Sequence, residues 1–254
     1  MSRILSAAGA FVDRIRINAV SRELREGRAL WIKRRRWTAR PIMACANRFF
    51  RLAGNPVCAI EELATWQRWE VDCFLQLHGE DFQAFADGPR TVAAEEVPGT
   101  NLSVHLDAGT LNPRMLEAAA RELRRAHAAE SSTFHGPWSH GDPHTGNFVY
   151  DPDSDRTRLI DFEVMHHPTI HPDERHADDL LVFLQDMVGR SRAGDWLPNA
   201  QAFLRGYGRP GIVALLREQL VVPRGLPRLW WAVRTTYLST AELERRVGAL
   251  RESL

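Results

Sequence analysis

The chain is short of cysteine, of long apolar runs and of any excess of one charge. Its three cysteines, Cys45, Cys58 and Cys73, are an odd number without a C-x-x-C pair, which argues against a disulfide framework or a zinc ribbon and points to a reducing compartment. No run approaches the roughly 18 apolar residues of a membrane span. The 33 Lys plus Arg nearly cancel the 32 Asp plus Glu, so overall charge gives no footprint for a general nucleic-acid binder. Internal repeats and low-complexity tracts are missing as well. What remains is a chain of 254 residues, 44% hydrophobic, long enough for one large domain or two lobes.

At the N-terminus, Ile4, Ala8, Phe11, Val12 and Ile15 recur at helical spacing beside Arg3, Arg14 and Arg16, which suits a short amphipathic helix better than a cleaved signal. From Ile17 the pattern reads as two strands around a turn at Arg25-Glu26-Gly27, the second covering Ala29 to Lys33. A helix is expected over Arg40 to Leu52, with Ile42, Met43, Ala46, Phe49, Phe50 and Leu52 on its apolar stripe and Gly54-Asn55-Pro56 ending it. A second carries Leu63, Trp66, Val71, Phe74 and Leu77 and stops at Gly79. Thr91 to Val97 reads as a strand broken by Pro98-Gly99. Asn112 can cap a further helix with Pro113 in its first turn and Leu116, Ala119, Ala120, Leu123 and His127 on one face. A strand (Phe148 to Tyr150), an acidic turn (Asp151 to Asp155) and a strand (Thr157 to Phe162) follow. The chain beyond Asp178 is helical, with a capping box at Ser239 and Glu242.

The densest polar constellation is SHGDPHTGNFVYDPDSDRTRLIDFEV, Ser139 to Val164. Two carboxylates, Asp142 and Asp161, and the amide oxygen of Asn147 are hard oxygen ligands. They suit Mg²⁺ held together with substrate phosphates rather than zinc. One Asp that orients a hydroxyl, with an Asn and a second Asp that grip metal, is the equipment of phosphoryl transfer.

HGDPHTGN (His140 to Asn147) followed by LIDFE (Leu159 to Glu163) resembles the catalytic loop and metal-binding motif of the protein-kinase-like superfamily, in the HGD and DFE form of its aminoglycoside-phosphotransferase-like and bacterial lipopolysaccharide-core (Kdo/heptose) kinase-like members. The resemblance implies a two-lobed α+β fold, with a small β-sheet lobe over 1–97 and a helical lobe over 98–254. It implies Asp142 as the catalytic Asp, His140 as its supporting residue, and Asn147 and Asp161 as Mg²⁺ ligands. LWIK (Leu30 to Lys33) supplies the phosphate-positioning Lys33, with Glu70 as its helix partner in preference to Glu61 or Glu62. Backbone groups of Glu96 and Val97 would meet adenine, and Asp179, or alternatively Asp178, would brace the catalytic loop. The implied activity is transfer of the γ-phosphate of ATP, with Mg²⁺, to a hydroxyl of a sugar or lipopolysaccharide-core type substrate. An aminoglycoside- or choline-type small molecule and a serine/threonine side chain are the alternatives. In one respect the chain departs from the family: no glycine-rich loop precedes Lys33, where only Gly9 and Gly27 occur. A nucleotide-binding pseudokinase is the reading that this departure supports.

Other patterns compete. His140, Asp142 and His144 alternate and His166, His167, His171 and His176 follow, which a dinuclear metallohydrolase could use. The basic run WIKRRRW with Arg40, Arg48 and Arg51, interleaved with Trp31, Trp37, Phe49 and Phe50, is suited either to anionic lipid or glycan or to an ordinary charged rim. The protein is therefore expected in the cytoplasm, with a peripheral contact at the inner membrane face as one use of the Trp31 to Arg51 segment.

Overall fold

The structure, a computed structural model, describes residues 17–192, 194–235 and 238–254; Gly9 and the helix expected around Ile4 to Ile15 lie outside the described residues. Strands β1 (Asn18–Arg25) and β2 (Arg28–Arg35) form the expected hairpin. Its two-residue turn has both Glu26 (φ 51°) and Gly27 (φ 80°) in the left-handed region, the mirror-image geometry whose twist matches that of the flanking strands. Helix α1 (Ala39–Leu52) comes next, then a strand that the pattern did not announce, β3 (Val57–Ala59), and helix α2 (Leu63–His78). Leu52 does not join the buried stripe of α1. It lies two residues past buried Phe50, on the other side of the helix, and is 65% exposed.

Strands β4 (Ala84–Ala86) and β5 (Thr91–Glu95) complete a four-stranded antiparallel sheet in the order β1-β2-β5-β4. β5 ends two residues earlier than the apolar run does. The chain then enters β6 (Thr100–Asn101), α3 (Leu102–Ala108) and α4 (Pro113–His127). Asn112 caps α4 by accepting from the Met115 amide at 3.2 Å, and all five residues expected on its inner face are buried. The minor strands β7 (Glu130–Ser131) and β8 (Gly136–Pro137) precede the hairpin β9 (Phe148–Asp151) and β10 (Arg156–Leu159), to which β6 pairs. The acidic turn uses its own carboxylates: Asp151 accepts from the Asp153 amide at 3.1 Å, and Asp155 from the Tyr150 hydroxyl at 2.7 Å. β10 stops at Leu159, short of the expected Phe162, because Asp161 turns into the left-handed region at φ 68°.

After β11 (Val164–His166) come α5 (Pro172–Arg190), α6 (Trp196–Tyr207), α7 (Pro210–Gln219), α8 (Leu226–Arg234) and α9 (Thr240–Glu252). Half of the expected capping box forms: Ser239 accepts from the Glu242 amide at 3.2 Å, while the Glu242 carboxylate turns to Arg245 and Arg246. A sheet-rich N-terminal region thus leads into a helical C-terminal region. α1 and β3 tie the two together, since β3 pairs with β11 and Phe50 of α1 meets Trp230 of α8 at a ring distance of 4.7 Å. No described helix is long and apolar enough to cross a membrane.

His78, at the end of α2, packs against Phe74 and Phe82, and its Nε2 reaches the Leu159 carbonyl at 2.8 Å. Burial pushes its pKa down to about 4. The unfolded chain therefore takes up this proton first, and the stability it contributes is complete above the ordinary value near 6.5 and lost as pH falls toward 4. Thermal unfolding midpoints should fall over that interval and fall less steeply in His78→Gln; identical slopes would contradict the assignment.

Candidate active site

Register decides what faces the cleft between the two regions. Lys33 on β2 lies opposite Val20 of β1 and Val92 of β5, and Trp31 lies opposite Ala94. Because alternate residues share a face, these side chains together roof a cavity of about 670 Å³. Its other walls are Glu95 to Gly99, Asn101, Val149 and Ile160 to Phe162, with Glu70 and Phe74 of α2. Gly99 permits this geometry: at φ 119° its backbone lies so close to β9 that a Cβ would fall 2.2 Å from the Tyr150 carbonyl oxygen.

Lys33 is the centre of the charge network. Its Nζ donates to Glu70 Oε1, lies 2.7 Å from Asp161 Oδ1 and 3.4 Å from Glu163 Oε1. Burial works against the ammonium charge, but the carboxylates of Asp161, Glu70 and Glu163 outweigh it and hold Lys33 protonated well above the usual range. Burial, then the neighbouring Asp161 charge, pushes Glu163 up to about 7. Glu70 is buried in mid-α2. Glu62 is instead the α2 cap, accepting from the Ala64 amide at 2.9 Å, and Glu61 accepts from Asn47 at 2.7 Å, so neither competes for Lys33.

Across the cavity, the loop from Ser139 to Asn147 is held from below. Asp179, fully buried in α5, accepts from the His140 and Gly141 amides at 2.8 Å each and pairs with His127 at 3.0 Å. Asp178, the other candidate for that role, pairs with His166 at 3.1 Å. His140 packs on Phe162 and reaches the Ile160 carbonyl at 3.1 Å, tying the loop to the segment that follows β10. Asn147 donates its amide nitrogen to the Asp142 carbonyl at 2.9 Å, which leaves its amide oxygen as a ligand. Ile160 donates to the Asn147 carbonyl at 3.0 Å, so Asn147 and Asp161 sit together at the open end of the hairpin. Asp142 presents its carboxylate to Arg234, Nη2 to Oδ1 at 3.0 Å.

Among the described residues no three His, Cys, Asp or Glu side chains are gathered as a metal site. His166 and His176 serve Ser139 and the Trp138 carbonyl respectively. One Asp and one Asn are a donor set that fits Mg²⁺, which keeps waters and phosphate oxygens as its remaining ligands. At the cavity's far edge the Glu96 amide is taken by the Ala29 carbonyl at 2.8 Å and its carboxylate by Arg22 at 2.7 Å. Val97 is buried in the cavity wall.

The basic aromatic run does not form one surface. Lys33 and Trp31 face the cavity, while Arg35 turns inward, donates to the Ile60 carbonyl at 2.6 Å and stacks on Trp66 at 4.1 Å. Trp37 lies outside, under Arg90. Glu163 and Arg234 were not singled out by pattern. Glu163 stands two residues after Asp161 and could have been questioned there; Arg234 is 92 residues from its partner and carries no local signal.

A second cavity, about 500 Å³, opens beneath the loop Ala53 to Pro56, between α5, α7 and α8. Its lining includes Glu174, Asp178, Glu218, Gln185, Trp230 and Arg234. Arg234 therefore joins this cavity to Asp142.

No protein-family model matches the chain, and no curated protein matches it. Among solved structures it is similar to an ethanolamine kinase of Plasmodium vivax, at 12% identity over 93% of this chain and 79% of that one, with a TM-score of 0.51. A Mycobacterium tuberculosis protein solved with erythromycin is 17% identical over 93% of this chain and 57% of that one, with a TM-score of 0.40. The first likeness shows the fold: the chain has the two-lobed, kinase-like α+β architecture.

Asp179→Asn should lower stability by about 2–4 kcal/mol, because an amide NH₂ would face the buried backbone donors that a carboxylate accepts. Urea unfolding measures this; an unchanged midpoint would remove Asp179 as the support of the loop.

Proposed function

We propose that the protein transfers the γ-phosphoryl group of ATP, with Mg²⁺, to a hydroxyl of a small amine-bearing acceptor. The observation that carries this reading is the contact of Lys33 with both Glu70 and Asp161, three residues from distant parts of the chain that meet at one cavity. A cavity of about 670 Å³ is within the range of small-molecule and cofactor sites. In this reading the small lobe ends near Val97 and covers the nucleotide. Val97 and its neighbours meet the base, and Lys33, fixed by Glu70, meets the phosphates. Asp161 and Asn147 hold Mg²⁺, which screens phosphate charge. Asp142 orients the acceptor hydroxyl and receives its proton as the new P–O bond forms and the bond to the ADP oxygen breaks. His140 supports the loop that carries Asp142. The complete set of Lys33, Glu70, Asp142, Asn147 and Asp161 supports an enzyme over a pseudokinase, although the described β1–β2 connection is a two-residue turn and not a glycine-rich loop.

The second cavity supports the choice of acceptor. Glu174, Asp178 and Glu218 in its lining suit an acceptor that carries a cation. A phosphorylated lipopolysaccharide-core sugar would bring like charge against those carboxylates, so an amino alcohol or amino sugar is the better fit. The Plasmodium vivax neighbour is an ethanolamine kinase, which supports this choice. A polypeptide acceptor is disfavoured because β11, which follows the DFE motif, is already paired with β3.

ATP should raise the thermal midpoint only modestly without Mg²⁺ and substantially with it, by the equivalent of about 2.7 kcal/mol at one hundred times Kd. Asp161→Ala should lose the Mg²⁺ dependence, whereas Asp142→Ala should keep it. A wild type indifferent to ATP and Mg²⁺, or an Asp161→Ala shift equal to that of wild type, would contradict the site.

A further inference from the structure

The loop from Ser139 to Asn147 contains neither Lys nor Arg. Lys33, which meets the nucleotide's phosphates in the reading above, lies among Glu70, Asp161 and Glu163 on the small-lobe side of the cleft, and none of its ion pairs is to Asp142. In phosphoryl transfer, negative charge is spread over the equatorial oxygens of the moving group, and a fixed cation at that point is worth a large part of the rate. A permanent cation does stand at Asp142, and it comes from the C-terminal helices.

Arg234 donates from Nη2 to Asp142 Oδ1 at 3.0 Å, with only 12% of its own side chain exposed. Its guanidinium is stacked over Trp230 at 4.6 Å, and Trp230 meets Phe50 of α1 edge-on. The backbone is fixed as well. The Thr235 amide bonds to the Trp231 carbonyl at 3.0 Å, and the end of α8 lies close enough to Gly189 of α5 that a Cβ there would touch the Arg234 carbonyl at 3.7 Å. The side chain is thus held by packing on one side and by Asp142 on the other, at the junction of the second cavity with the catalytic loop.

We propose that Arg234 binds the transferring phosphoryl group. The inference rests on the phosphotransferase reading of the site. A guanidinium has five N–H donors in a planar fork, so Arg234 can keep one on Asp142 and turn others to phosphoryl oxygens. It thereby sets the spacing between the Asp that orients the hydroxyl and the phosphorus that the hydroxyl attacks. No proton leaves Arg234 during the reaction: the acceptor proton goes to Asp142, the electron pair of the broken P–O bond goes to ADP, and the guanidinium stays charged throughout. Helix α1 gains a role in this arrangement, since Phe50 backs the ring on which the guanidinium rests.

The test needs no acceptor. Binding of ADP·Mg²⁺ is measured by calorimetry with and without aluminium fluoride, which occupies the place of the moving phosphoryl group. Wild type should bind at least tenfold tighter with fluoride. R234Q should lose that gain while its affinity for ADP·Mg²⁺ alone stays within about twofold, as expected of a side chain outside the nucleotide cavity. R234K, which keeps the charge without the fork, should retain part of the gain and serves as the informative variant if R234Q does not fold. An equal fluoride gain in wild type and the variants, or none in wild type, overturns the assignment. If wild type does not bind ADP·Mg²⁺ at all, the phosphotransferase reading fails instead.

Discussion

The site depends on one buried cation. The Lys33 ammonium is drawn out of water on a strand whose other face is apolar, a position that would be unfavourable without charged partners. Three carboxylates from two places supply them: Glu70 from α2, and Asp161 and Glu163 from the turn after β10. The same contacts join the sheet to the helix behind it and to the hairpin below, so the geometry of the cleft and the state of ionisation within it are set together. With three acids around one ammonium, full ionisation leaves an excess of negative charge. Burial, with the Asp161 charge added to it, pushes Glu163 up to about 7, while Lys33 outweighs burial at Asp161 and keeps it below its ordinary value.

The second constraint is the way the loop bearing Asp142 is fixed. Its backbone donors are tied to Asp179 of α5, its side chain His140 to Ile160 just after β10, and its one carboxylate to Arg234 of α8. Each tie comes from a different element, so the loop cannot shift as a unit without breaking contacts in several directions. The reading of the second cavity as an acceptor site follows from this arrangement, because Arg234 touches Asp142 and lines that cavity as well.

Much of this was legible along the chain. The segment His140 to Glu163 holds its polar residues at fixed separations on a hairpin whose strands and acidic turn are local in sequence, and Asn112-Pro113 and Glu26-Gly27 mark their elements by the backbone chemistry they require. Lys33 and Glu70 could be named because the resemblance calls for a strand Lys and a Glu on the helix that follows, and the pattern offers a strand holding Lys33 and a helix with Glu70 at its middle. The failures are non-local. β3 has three residues and exists by pairing with β11, more than a hundred residues away, and so carries no signal of its own. The burial of Arg35 against Trp66 and the placement of Arg234 beside Asp142 depend on tertiary packing that no window of sequence contains. The basic aromatic run forms no single surface for the same reason: Trp31, Lys33 and Arg35 share one face of β2, but Arg35 is buried against Trp66 and Trp37 lies outside under Arg90.

The most direct measurement is phosphorus NMR of ATP·Mg²⁺ incubated with the protein and, in separate reactions, amino alcohols, amino sugars and phosphorylated core sugars. A new phosphate-ester resonance with an amine-bearing acceptor, absent with Asp142→Ala, is the predicted result. Loss of ATP at the same rate in wild type and Asp142→Ala, or no ester with any acceptor from a protein that binds ATP·Mg²⁺, would contradict the account.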